Sequence, residues 1–285
     1  MCVMEHSGRS VTSKALALLD SFTSKGEDLS LSELSARTGL PLSTAYRIAC
    51  ELVEWGALER VRGGGYRLGM RLWELGSLAA RQDSLVEVVR PYMFDLYAAT
   101  LESVHLAVLD AGEVLYVEKI TGRHAFPSRS RVGGRLPLHA TAAGKVLLAY
   151  APDEVVEAVA AAGLRRYTRH TIVSPLVLRR ALSEVRRTGL GVSWGELTLG
   201  SASVAAAVFG RGGQVAAALS LTLRSSPAQV QRLGMAVRTA ALSASRELLA
   251  ALGQRPTHPW PLQSIAAPLR PAAMVPHNEF HSMAT

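Results

Sequence analysis

Val11, Ala15, Leu18, Leu19 and Phe22 recur at i, i+4, i+7, i+8 and i+11, one apolar stripe that predicts a helix over residues 10–23 with a single buried face. The polar run SKGED closes it. Ser30 followed three positions later by Glu33 is a capping-box pair, in which hydroxyl and carboxylate each take a backbone amide left open by a first helical turn. It predicts a helix over 31–38. Gly39 supplies the left-handed backbone of a sharp turn, and Pro41 suits the first turn of a third helix reaching Trp55, because the amide it lacks has no partner there. In that helix Ala45, Ile48 and Leu52 form the inward stripe, so Leu42, Ser43, Thr44, Tyr46 and Arg47 face outward near its N-terminal end. Residues 58–62 and 65–68 then read as two short strands around Gly63 and Gly64.

Helix, turn, helix and hairpin in that order predict a winged helix-turn-helix. Such a unit sets one helix N-terminus into the major groove of double-stranded DNA and lays wing side chains along phosphates. Arg47 is the candidate for a base edge, with Ser43, Thr44 and Tyr46 on phosphates or bases and Leu42 beside them; Arg60, Arg62 and Arg67 are the candidate wing contacts. Leu72, Leu75, Leu78 and Ala79 keep helical spacing and predict a linker helix over 70–84, whose apolar side is a candidate dimer surface. A further helix over 85–101 contains Val88, Val89, Tyr92, Leu96 and Ala99, with Pro91 as a kink or a true start.

The rest alternates hairpins with helices. Strands are predicted over 104–109 and 114–120 around Asp110-Ala111-Gly112, and over 203–209 and 214–223 around Gly210-Arg211-Gly212-Gly213. Helices are predicted over 140–150, 152–161, 175–188 and 227–252, the last capped by Ser225 or Ser226. This is an α+β pattern around an antiparallel sheet. Beyond Gly253 come Pro256, Pro259, Pro261, Pro268, Pro271 and Pro276 with little apolar periodicity, so 254–285 reads as a disordered tail. The expected divisions are a tail over 1–8, the winged helix over 9–69, the linker helix over 70–84, a second domain over 85–253 and the C-terminal tail.

Composition adjusts this picture. The 285 residues are 48% hydrophobic, enough for two cores, and the formal charge is +8. Residues 1–85 nevertheless hold ten Lys/Arg and ten Asp/Glu, so the excess sits further along, over 119–145 and 165–187. What matters for DNA is local placement: Arg60, Arg62, Arg67 and Arg71 stand close together with only Glu59 against them. No run of eighteen apolar residues and no secretory leader pattern is present, so no membrane partner is expected and the cytoplasm is the expected location. Two cysteines, Cys2 and Cys50, exclude a disulfide framework or a four-cysteine zinc site.

Catalytic and cofactor signatures are weak. Ala143-Gly144-Lys145-Val146 fails as a phosphate loop because His139 stands where the first glycine belongs and Val146 where Ser or Thr belongs. His105, His124, His139 and His170 show no metal-ligand spacing, and no G-x-S-x-G elbow is present, so no cofactor or metal is expected. His139 is read as a hydrogen-bonded structural histidine, and Lys145 as a lysine near the end of a helix that meets an effector or solvent.

Four blocks in order, LSELSARTGLPLSTAYRIACEL, RLPLHATAAGKVLLA, GLGVSWGELTLGSASVAAAVF and VAAALSLTL, resemble the IclR family of bacterial transcription regulators from about Arg9 to Leu252. The resemblance implies a winged helix joined to a GAF-like effector-binding domain, acting as a homodimer or tetramer on a palindromic operator, more often as a repressor. It also implies a small-molecule pocket on one side of the sheet. Carried onto this chain, that pocket is Ala142 and Ala143, whose amides open a helix; Ser193, Ser201 and Ser203; and Ser220 and Thr222, alternating toward one side. Where many members have Cys-Ile-Ala-Ala-Pro-Val, this chain has Ser203-Val204-Ala205-Ala206-Ala207-Val208, which removes a cysteine contact and suits a small polar or carboxylate metabolite. The competing expectations are a small-molecule enzyme whose winged helix serves protein contacts or oligomerisation, and a constitutive DNA binder with a vestigial pocket.

Overall fold

The structure, a computed structural model, describes residues 10–23, 26–78, 83–122, 125–126 and 128–254. The chain divides into two compact units, Met1–Ala80 and Arg81–Thr285. Cys2, His124, the N-terminal tail and all of the C-terminal tail but its first residue lie outside the described residues.

In the first unit α1 (Val11–Asp20) is shorter than its stripe predicts, because the Ser21 hydroxyl and amide both turn back to the Leu18 carbonyl. Both arms of the capping box form at the start of α2 (Leu31–Thr38), and Gly39 ends it at φ 70°. Pro41 is the N-cap of α3 (Leu42–Trp55) rather than part of its first turn, since its ψ of 143° is extended. The strands β1 (Leu58–Arg60) and β2 (Tyr66–Leu68) are also shorter than expected, because the Val61 amide already closes the turn on the Gly65 carbonyl at 3.0 Å. Leu29 exchanges both backbone bonds with Tyr66, at 2.9 and 2.7 Å, and so stitches the wing to the loop before α2. Leu18, Leu34, Ala45, Ile48, Leu58 and Tyr66 fill the core between these elements.

The linker departs most from its pattern. Its described helix is α4 (Met70–Ser77), in whose last turn the Ser77 hydroxyl donates to the Glu74 carbonyl; residues 79–82 of the expected span lie outside the described residues. None of its residues is buried in the first unit, and Met70, Trp73 and Leu78 are largely exposed. The second unit begins with α5 (Asp83–Thr100), which runs through Pro91 and neither starts nor stops there.

The remaining elements are β3 (Ser103–Asp110), β4 (Glu113–Ile120), β5 (Arg135–Leu136), α6 (Ala142–Ala149), α7 (Asp153–Ala161), α8 (Pro175–Thr188), β6 (Gly191–Trp194), β7 (Ser201–Phe209), β8 (Val215–Arg224) and α9 (Pro227–Gln254). They build a six-stranded antiparallel sheet in the order β5-β4-β3-β8-β7-β6. Strand alternation sorts its two faces. Val104, Leu106, Val204, Leu219 and Leu221 point to one side, where α5 and α9 cover them. Ala107, Ala205, Ala207 and Ala218 point to the other, under α6, α7 and α8. The second face therefore offers small side chains where the first offers large ones, and a helix can lie close against it. Among the described residues no helix is long and apolar enough to cross a membrane.

Candidate functional site

The exposed end of α3 presents Leu42, Ser43, Tyr46 and Arg47, with Thr44 half-buried beside them. Pro41 supplies no side-chain cap, so the first amides of α3 stay open at its positive pole. Arg47 meets Glu51 at 3.1 Å in an exposed pair one helical turn apart, a bond worth about 0–1 kcal/mol that yields readily to a stronger anion.

The three wing arginines separate. The Arg67 fork is bidentate on Asp28, at 2.7 and 2.9 Å, and this hydrogen bonding holds the Asp28 carboxyl below its ordinary range. Arg67 thus ties β2 to the loop before α2. The Arg60 guanidinium lies over the rings of Tyr46 and Tyr66, at 5.9 and 5.5 Å, and donates to the Cys50 Sγ, so it is packed along α3 and fixed to it. Arg62, at the exposed tip, makes no ion pair among the described residues.

In the second unit the site begins with the approach of α6 to the sheet. A Cβ on Gly191 would stand 2.6 Å from the Ala142 carbonyl oxygen, and one on Gly144 would collide with the Leu138 backbone, so both glycines are required. Thr141 caps the helix by accepting from the Gly144 amide at 3.1 Å. The Ala142 and Ala143 amides have no partner inside the helix, and both residues line a cavity.

The sheet register lays rows of side chains beneath that cavity. Ser193, Ser203, Thr222 and Ser103 stand side by side in one row, and Ala205, Ser220, His105 and Lys119 in the next. A third row, Ala207, Ala218, Ala107 and Tyr116, runs under α6. All seven residues expected for the pocket, Ala142, Ala143, Ser193, Ser201, Ser203, Ser220 and Thr222, line this one cavity. Its volume is about 40 Å³, enough for a compact acid or on the order of three waters. Ser203 and Thr222 share a hydrogen bond at 3.0 Å, while Ser193 and Ser201 donate to the Ala140 and Thr198 carbonyls.

Sequence reasoning missed the rest of the wall, Tyr116, Ser128, Arg129, Leu197 and Thr198 among it. Tyr116 sits inside a predicted strand with no local mark to single it out, and Arg129 belongs to a basic stretch that reads as ordinary surface. Lys145 is corrected: it does not face solvent but is buried, with Nζ 2.8 Å from the Val192 carbonyl and 2.5 Å from Glu196 Oε1. Burial pushes the Lys145 ammonium down in pKa, against the pull of Glu196. Thr171 donates to the Glu196 carbonyl at 2.6 Å, so the loop bearing Leu197 and Thr198 is anchored on two sides. His139 Nε2 lies 3.0 Å from the Arg165 carbonyl, in keeping with a structural histidine.

A helix-turn-helix with its reading end exposed, followed by a unit enclosing a small polar cavity, defines the class of DNA-binding regulators that sense a small molecule. The comparisons narrow the class. Residues 11–62 match the IclR helix-turn-helix domain, and residues 78–246 match the bacterial transcriptional regulator IclR C-terminal domain. The chain is 32% identical to the transcriptional regulator KipR of Bacillus subtilis, over 86% of this chain and 99% of that protein. It is 30% identical to the transcriptional repressor IclR of Escherichia coli, over 73% of this chain and 78% of that one. An IclR homologue from Microbacterium hydrocarbonoxydans, solved with 4-hydroxybenzoate, superposes with a TM-score of 0.77 at 33% identity, covering 84% of this chain and 99% of its own. The protein belongs to the IclR family of bacterial transcriptional regulators, a family of DNA-binding regulators and not of enzymes.

Two outcomes follow for the pocket. Lys145→Met leaves the Glu196 charge buried without its partner and should cost about 3–5 kcal/mol in denaturant unfolding, while Lys145→Met with Glu196→Gln should recover most of the loss. Equal losses in the two variants would show that the pair itself contributes nothing. Burial, helped by Lys119, holds the His105 pKa at about 3, against 6.5 for an exposed imidazole. Between those values the unfolded chain binds the extra proton, so this group makes stability fall as pH falls below 6.5 and has no effect above it. The unfolding free energies of wild type and His105→Leu should differ by a constant near neutrality and drift in the variant's favour below that pH. A constant difference down to about pH 4 would rule out a buried neutral imidazole.

Proposed function

We propose that this regulator binds a palindromic operator as a homodimer or tetramer, usually to repress, and that a compact carboxylate in the second unit alters its operator affinity. The observation that carries the effector reading is the convergence of two open helix amides, Ala142 and Ala143, with five hydroxyl side chains on one cavity. A helix N-terminus is a ready anion site, and the serines and threonine supply neutral donors around it. The relative solved with 4-hydroxybenzoate, itself a carboxylate, is consistent with that chemistry. On the DNA side α3 enters the major groove, Arg47 reads a base edge, and Ser43, Thr44 and Tyr46 fix the register with Leu42 against the groove wall. Arg60, Arg62 and Arg67 meet phosphates, and Arg67 also holds the wing to the loop before α2. The exposed apolar side of α4 is the surface we assign to pairing between copies, and the linker is where ligand binding in one unit reaches the other. The protein then acts in the cytoplasm, where the DNA is.

Selection of duplex DNA by the purified protein at one near-physiological salt concentration tests the reading. It should return an inverted repeat with half-sites about one helical turn apart. Arg47→Ala should then weaken the selected site by roughly 1–3 kcal/mol and relax preference at one position of each half-site. A uniform loss on all sequences would make Arg47 a phosphate contact, and recovery of no motif would remove the operator-reading role.

A further inference from the structure

The closing helix α9 carries apolar side chains on two sides. Leu233, Val237, Ala241, Ala244 and Leu248 are buried in the core of the second unit. On the opposite side Met235, Leu242 and Leu249 stand 53, 46 and 43% exposed. They are seven residues apart, so they form one line about 21 Å long on the outer surface of a regular helix. Large apolar side chains held in water at a strict seven-residue interval are the pattern of a seam between two helices. Thr239 and Arg246 lie exposed within the same stripe, and the exposed Arg232 lies one turn before it. Arg246 donates to the Ser243 hydroxyl of its own helix at 3.2 Å.

The spacing decides what covers this seam. It is symmetric about Leu242, with one large apolar residue seven positions to either side. A second copy of α9 running antiparallel therefore meets the stripe with itself: Leu242 lies on Leu242, and Met235 on Leu249 at both ends. The charges agree with that direction. Antiparallel pairing sets Arg246 beside the Thr239 hydroxyl of the second copy. It sets Arg232 beside the last turn of the second helix, at Gly253, where unused carbonyls form a negative pole. Parallel pairing would instead place each arginine against its own equivalent and align the two helix dipoles. Resting on the pairing through α4 proposed above, we propose that α9 is a second self-pairing surface. Two copies pack there antiparallel about a two-fold axis at Leu242, and the contact joins α4-paired dimers into a tetramer.

Sedimentation of the full chain, combined with disulfide trapping in a Cys2→Ser, Cys50→Ser background, tests it. Leu242→Glu should halve the mass of the wild-type assembly, from tetramer to dimer. Under mild oxidation Leu242→Cys should trap two copies covalently, which still reports if the glutamate variant fails to fold. Met235→Cys alone and Leu249→Cys alone should not trap, whereas the two together should. Trapping by each single cysteine would overturn the antiparallel arrangement. No trapping at Leu242→Cys, with a mass unchanged by Leu242→Glu, would overturn pairing through α9 and leave pairing through α4 standing. A monomer in Leu242→Glu with Leu242→Cys trapped would uphold α9 and remove α4, and a monomeric wild type would overturn both.

Discussion

The close approach of α6 to the sheet is the constraint on which the second unit depends. Gly144 and Gly191 permit it, since a Cβ at either position would strike backbone, and the alanines at 107, 205, 207 and 218 keep the sheet beneath it low. The buried Lys145–Glu196 pair then fastens the helix to the loop after β6. With α6 held there, its open N-terminal amides hang over the rows of serine and threonine on β6, β7 and β8, and the cavity is what the small side chains leave unfilled.

The two faces of the sheet differ in what they carry. Under α5 and α9 the residues are large aliphatics, each contributing about 1.5–3 kcal/mol by leaving water. On the opposite face the rows pass from alanine under α6 to hydroxyl side chains at the cavity, so apolar burial there is sacrificed for polar groups that a ligand can use. Both faces lie on the same strands, so the aliphatic core stands directly behind the polar rows.

The sequence disclosed the local features well. Capping box, turn glycine and apolar stripe identified the helix-turn-helix because each depends on neighbours within a few positions, and alternation revealed β3, β4, β7 and β8. It failed where partners are distant. Strands β5 and β6, of two and four residues, are too short to show a period and exist only because a neighbour pairs with them. The Leu29–Tyr66 bridge, the Arg67–Asp28 fork and the Lys145–Glu196 pair link residues far apart in the chain, and nothing local marks them. The pocket residues were named through the family resemblance, not through spacing; what the fold adds is the cross-strand register that sets them in rows.

The DNA-reading end and the cavity belong to separate units, and the central claim concerns the cavity: a small acid is held by the N-terminus of α6. A crystal structure of the full chain with bound glycolate tests it most directly. The account predicts the carboxylate oxygens about 2.7–3.2 Å from the Ala142 and Ala143 amide nitrogens, with the rest of the acid over the Ser203–Thr222 row. A carboxylate bound elsewhere, with those two amides turned to other partners, would contradict it.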